Sequence, residues 1–168
     1  MGDVTALLEE LDRLLSQESV VQQQLLDGQN TEKHLLVLWS LEPLLDHLQA
    51  KEQQIRHLTL LEQKRQSVLA CLAPLLHLPD ADMTLEQLSA RVDEPYASIL
   101  LQHRAHLQQL VHALQQCNSE NAMLLQDALA LIGRTVVFFE GFTQVNPTYR
   151  QSGKILPPTH GRLLASRV

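Results

Sequence analysis

Glycine is scarce in this chain, and its placement excludes more than its number does. There are six in 168 residues, and none lies between Gln29 and Ile132. A stretch of about a hundred residues without glycine leaves little room for tight strand turns. It argues against β-sandwiches, barrels and Gly-rich nucleotide loops. Aromatic residues are only 4% of the chain, while apolar residues of all kinds make up 45%. A core is therefore affordable, but it must be aliphatic. Leucine supplies it, with 36 copies, and glutamine is the other excess, with 19. The length suits one domain, or one domain with a tail.

Acidic residues are missing from one end. None follows Glu140, whereas Arg150, Lys154, Arg162 and Arg167 do. The rest of the chain holds nine Lys+Arg against all 19 Asp+Glu, a net charge of −10. An acidic body with four dispersed basic residues lacks the concentrated positive face that phosphate binding needs, so no nucleic-acid partner is expected. Cysteine is nearly absent too. Cys71 and Cys117 stand 46 residues apart in apolar helical surroundings, without a C-x-x-C pair. They read as free thiols in a reducing cytosol rather than as a zinc or redox motif. The opening Met-Gly-Asp-Val, with Glu9 and Glu10 close behind, has neither the basic nor the apolar region of a signal peptide. No apolar run approaches the ~18–20 residues that span a bilayer, so no membrane insertion is expected.

What is present is helical periodicity. Leu7, Leu11, Leu14, Val21 and Leu25 form a heptad seam with Glu18 in its gap, predicting a first helix over about Asp3 to Asp27. Gly28 falls where a left-handed C-terminal cap is wanted. Thr31 then caps a short helix, Glu32 to Trp39, and Ser40 caps the next, with Pro43 in its first turn. One helix from Thr31 to Leu76 with a kink at Pro43 is the alternative. From Leu44 a seam runs through Lys51, Ile55, Leu58, Glu62, Arg65, Leu69 and Leu72, with a polar middle that should be partly wet. Pro74, Pro79, Asp80 and Asp82 mark a break. Thr84-Leu-Glu-Gln87 is a capping-box pattern opening a short helix. Asp93-Glu-Pro95 opens the last long helix, to about Gly141.

The fold class that follows is all-α: an elongated antiparallel helical bundle or coiled coil of about three long arms. Residues 1–142 form the bundle and 143–168 a flexible C-terminal tail, because Asn146-Pro147, Gly153, Pro157-Pro158 and Gly161 break any helix. The third arm, about 47 residues, overhangs the others from Gly133 to Gly141 at 1.5 Å per residue. All three Phe residues, Phe138, Phe139 and Phe142, lie there or just beyond, beside Val136 and Val137. This cluster reads either as the core end of the bundle or as an exposed docking patch. Each Phe can bury ~150–250 Å² on a partner. The tail keeps two apolar clusters, Ile155-Leu156 and Leu163-Leu164.

No catalytic constellation emerges. His103 and His106 are spaced i,i+3, but no Glu-x-x-His and no His-Glu-x-x-His occurs, so neither a di-iron bundle nor a zinc-protease pattern is present. Ser67 and Ser98 lie in helices without a paired base. No metal, cofactor or enzymatic activity is expected. Asn121 falls on the apolar seam of the last helix, with Asn118 one turn before it. A polar seam residue can set helix register.

Several stretches resemble those of the FlgN family, flagellar type III export chaperones for the hook–filament junction proteins. Glu18 to Gln29 (ESVVQQQLLDGQ) is similar to that family's Glu/Gln-rich run ending near Gly. Ser40-Leu-Glu-Pro-Leu44 with Lys51 resembles its capped helix start, and Leu61 to Leu69 (LEQKRQSVL) its Leu-Glu-x-x-Arg stretch. Asn118-Ser-Glu-Asn121 before Leu124-Leu125 resembles its paired-Asn motif, and Asn146-Pro-Thr-Tyr149 with Gly153 its C-terminal Tyr-x-x-x-Gly. Two features depart: Asn30 to Trp39 is longer than typical, and Ala122 stands where Gly usually follows the second Asn. The resemblance implies a cytoplasmic, ATP-independent chaperone that binds the C-terminal helical region of hook-associated proteins, keeps them unassembled and delivers them for export. It implies Tyr149 as the contact for the cytosolic domain of the export gate membrane protein, with the export ATPase complex as a further partner. It places client binding on the end of the last helix and on the tail. A coiled-coil scaffold or oligomeric adaptor without client-chaperone activity is the competing reading.

Overall fold

The computed structural model describes residues 2–77 and 84–143. Among these residues there are four helices and no strand: α1 (Gly2–Val37), α2 (Leu41–Leu75), α3 (Leu85–Ser89) and α4 (Tyr96–Thr143). The expected all-α architecture with long arms is present. Pro79, Asp80, Asp82 and the chain from residue 144 lie outside the described residues. Two compact units divide the chain, Met1–Leu124 and Leu125–Val168.

The first arm differs from expectation. Gly28 does not end a helix; α1 runs through it and through Thr31 to Val37. A Cβ at residue 28 would lie 3.2 Å from the His47 ring of α2. Glycine therefore serves close helix contact here, although it costs about 1 kcal/mol against alanine in a helix interior. There is no separate helix from Glu32 and no kinked helix from Thr31 to Leu76. The stop comes where Trp39 enters the left-handed region at φ 55°. The Ser40 N–H donates to the Leu35 carbonyl at 3.1 Å and the Trp39 N–H to the Leu36 carbonyl at 3.2 Å. These two bonds are the Schellman pattern, usually built on glycine. Ser40 precedes α2, but its side chain makes no capping bond.

Pro43 sits in the first turn of α2, where its missing N–H costs nothing. Pro74 is not the break itself: it lies in the last turn of α2, which ends one residue later. The capping box of α3 forms as its pattern predicts. The Gln87 N–H donates to the Thr84 hydroxyl and the Thr84 N–H donates to the Gln87 side chain. α4 opens at the expected place, after a cis Glu94–Pro95 bond. The Glu94 carboxylate accepts from the Ser98 N–H at 3.3 Å and from its hydroxyl.

Side-chain pairings give the directions. Between α1 and α2 the partners' sequence separation falls from 47 at Glu18–Arg65 to 19 at Glu32–Lys51, so these helices are antiparallel. Between α1 and α4 it stays at 87 to 92, from Glu9–Tyr96 through Asp12–His103 to Gln29–Asn121, so these two are parallel. The arms thus run up, down and up, and α3 carries the chain across the lower end.

That lower end holds the apolar core. Leu8, Leu11 and Leu15 of α1 meet Leu69 and Leu72 of α2, Leu88 of α3 and Leu100 of α4. Leu14, Val21 and Leu25 meet Leu61 one level up. Farther along, polar groups replace leucine. Glu18, only 4% exposed, pairs with Arg65 at 2.9 Å, and Lys51 pairs with Glu32 at 2.6 Å. The polar middle of the α2 seam is partly wet, as expected, with Ile55 and Glu62 exposed, but it is not idle: its cations turn inward to meet anions of α1.

Core truncation and ion-pair loss give a first prediction. Leu72→Ala should lower unfolding free energy by about 2–5 kcal/mol, and Arg65→Gln by about 3 kcal/mol, because Glu18 is left buried without its cation. Urea unfolding checks both. Losses below about 0.5 kcal/mol, the surface range, would show that this end is not the core.

Candidate functional site

Above the leucine layers, α1 and α4 meet through amides. The Asn121 side-chain N–H₂ donates to the Gln29 backbone carbonyl at 3.0 Å and to the Gln29 side-chain carbonyl at 2.8 Å. The Gln29 amide nitrogen donates in turn to the Asn118 side-chain oxygen. Gln29 is 2% exposed and Asn121 4%. Losing a partner inside such a network costs about 1–3 kcal/mol for each buried group left unpaired, so only one α1/α4 register satisfies it. Asn118 and Asn121 thus share one network, and Asn121 is buried rather than wet. Gln29 is the member that sequence reasoning missed, because it was assigned to the residues after a helix end.

Beyond this layer the helix contacts are exposed and weaker. Lys33 pairs with Glu120 at 2.9 Å. The hydrogen bond from Lys33, then that from Gln116, holds the Glu120 carboxyl below the ordinary carboxylate range. The contribution is present above the usual carboxylate pKa and fades as pH falls through the lowered one, and exposed pairs of this kind are worth little.

In the unit from residue 125 onward, α4 is bare. Every described side chain from Leu125 to Gly141 is exposed except Ala128, which is half-buried. Leu129, Leu131, Ile132, Val136 and Val137 are among the exposed large apolar residues, and Phe138 and Phe139 are 60% and 61% exposed. The two Phe rings meet edge to face, 5.8 Å apart at 74°. Of the two sequence readings of this cluster, the exposed patch is the one these side chains fit. Exposure begins before Gly133, earlier than the expected overhang. Phe142 lies in α4, but its side chain is outside the described ones. Tyr149, Ile155, Leu156, Leu163 and Leu164 lie outside the described residues altogether.

One expectation needs correction. α4 is long and apolar enough to cross a membrane by length and composition, and none of its most apolar 18-residue stretch is buried. The sequence reading looked for uncharged runs, and Asp127 and Arg134 interrupt this one. Those charges also weigh against a bilayer, at about 2.5–3.5 kcal/mol each near its centre.

A second apolar patch, in the unit of residues 1–124, was not anticipated. Val37, Leu38, Trp39, Leu41 and Leu45 are all more than half exposed around the α1–α2 turn. The helix boundary placed at Gly28 concealed it. Among the described residues no group of three or more His, Cys, Asp or Glu converges as a metal site requires. His103 faces Asp12 at 2.6 Å, a carboxylate supplied by another helix. The hydroxyls of Ser67 and Ser98 bond to the Gln63 carbonyl and the Glu94 carboxylate.

A family model described as FlgN protein matches residues 1–157 of the chain. Comparison with curated proteins and with solved structures gave no match.

Replacing Val136 and Phe139 together by serine should leave the unfolding midpoint within the surface range, about ±0.5 kcal/mol, and should reduce binding of an apolar dye such as ANS. A loss of several kcal/mol would show that the end of α4 belongs to a packed core.

Proposed function

The chain belongs to the FlgN family of flagellar export chaperones, and from that premise we propose which clients it holds and where. The clients are the hook-associated proteins of the hook–filament junction, bound through their C-terminal helical region. The observation that carries this reading is the bare apolar end of α4. A helix that is apolar over most of its circumference is normally buried, and from Leu129 to Gly141 every described side chain here is exposed. A client segment that forms coiled coils in its assembled state presents the matching amphipathic face. Covering that face on α4 keeps the client from assembling.

The chaperone works in the cytosol without ATP, by binding and release alone. Apolar contact that orders both partners gives moderate affinity for its area, which suits cargo that must be handed on. Hand-over places Tyr149 against the cytosolic domain of the export gate membrane protein, with the export ATPase complex as a further partner. Asn118 and Asn121 act at one remove. With Gln29 they set the α1/α4 register.

A second reading is a coiled-coil scaffold, because an exposed heptad seam also fits another copy of the chain. Titration calorimetry with a C-terminal fragment of a hook-associated protein separates the two. Saturable binding is expected, weakened at least ten-fold by Val136→Asp with Phe139→Asp. Concentration-dependent self-association together with no binding at high micromolar fragment would favour the scaffold. Tyr149→Ala should spare client binding and weaken capture by the export gate's cytosolic domain; unchanged capture would remove Tyr149 from that role.

A further inference from the structure

The apolar patch at the α1–α2 turn continues along one side of α2. Leu41, Leu45, Leu48 and Ile55 are 68%, 52%, 40% and 47% exposed. With Glu52 and Thr59 they recur from Leu41 at steps of four and three, the spacing of a coiled-coil seam. This is not the line that α2 turns to α1, which runs through His47, Lys51, Leu58, Leu61 and Arg65. At 3.6 residues per turn the two lines lie about a third of the circumference apart. One edge of the exposed seam carries Glu42, Gln49 and Arg56, one heptad apart and all exposed. The other edge carries Leu44, Lys51 and Leu58, with Lys51 held by Glu32.

The charged edge is complementary to itself. Glu42 and Arg56 stand at equal distances on either side of Gln49. When two copies of α2 meet antiparallel with their Gln49 residues opposite, Glu42 faces the partner's Arg56 and Arg56 faces the partner's Glu42. The same register sets Leu45 against the partner's Ile55 and, on the other edge, Leu44 beside the partner's Leu58. A slip of one heptad either way loses both charge pairs. Parallel pairing sets Arg56 beside the partner's Lys51, a like-charge contact across the seam. We propose that the chain forms a two-fold dimer through this face of α2, with the two helices antiparallel. Two-fold contacts require a surface that matches itself, and the placement of Glu42 and Arg56 meets that requirement, which a client helix would not impose. Glu52 lies within the seam, where its carboxylate is held by Arg56 at 3.0 Å. A charge there fixes register at a cost in stability, so the dimer is reversible, and screening of its exposed pairs weakens it further as salt rises. The face belongs to the unit of residues 1–124 and uses none of the bare end of α4, so the proposal is independent of the chaperone reading.

Sedimentation equilibrium of the full chain tests this, with circular dichroism to show that each variant keeps its helices. The wild type should show a reversible monomer–dimer equilibrium. Glu42→Arg and Arg56→Glu should each weaken it about ten-fold, because either change sets two like-charge pairs across the two-fold axis. An equal mixture of those two variants should dimerise as well as the wild type, since the mixed pair restores opposite charges at both places. Leu45→Gln with Ile55→Gln should abolish the dimer. A monomer at every concentration up to the millimolar range overturns the proposal. So does a dimer that ignores the charge changes, or a mixture that shows no rescue. A dimer removed by Val136→Asp with Phe139→Asp, and not by the α2 changes, places self-association on α4 and also overturns it. Loss of binding to a hook-associated fragment in the Leu45 and Ile55 variant, with self-association unchanged, assigns the face to the client instead.

Discussion

The four helices hold together because leucines on α1 give the other three one place to be dry. Leu8, Leu11 and Leu15 collect Leu69 and Leu72 from α2, Leu88 from α3 and Leu100 from α4. Burying such side chains stabilises by about 1.5–3 kcal/mol each. With few aromatics to spread it, that stabilisation is concentrated at one end. Farther along α1, buried apolar residues such as Val21 and Leu25 alternate with more specific and less forgiving contacts, the ion pairs of Glu18 and Glu32 and the amides of Gln29 between them.

This gradient fixes how the helices of the first unit align. Ion pairs and amides need partners at fixed places, so they set register where leucine alone would tolerate sliding. Glu18 and Glu32 lie 14 residues apart, as do Lys51 and Arg65, and antiparallel α1 and α2 bring both pairs together at once. Gln29, Asn118 and Asn121 do the same for α1 and α4.

Much of this was legible in the chain, but unevenly. The missing glycines and the leucine periodicity specify long helices. The Thr84 to Gln87 pattern specifies where α3 begins, although α3 ends at Ser89, short of Val92. The Phe-rich end of the last helix stood out because every Phe lies there. The local signals that misled were those with two physical uses. Gly28 reads as a helix stop, yet it serves close approach to His47. Trp39 reads as helix, yet it takes the left-handed position that ends one. Lys51 and Arg65 belong to a seam middle that reads as partly wet, yet they are answered across the bundle. The equal 14-residue spacing of the two acids and the two bases was the available clue, and it is visible only once the helices are known to be antiparallel.

The sequence by itself determined the helical class, the placement of α3 and α4, the apolar character of the last helix and its likeness to the FlgN family. Those properties follow from composition, from periodicity and from short motifs, which act within a few residues along the chain. Only the tertiary structure decided where α1 ends, which polar residues are buried, and which leucines form core rather than surface. Leu72 and Leu129 are the same residue in the same kind of helix. One is enclosed by three other helices and the other is exposed to solvent. Leu72 owes its burial to leucines far away in the chain, and no local pattern encodes contacts between residues so distant.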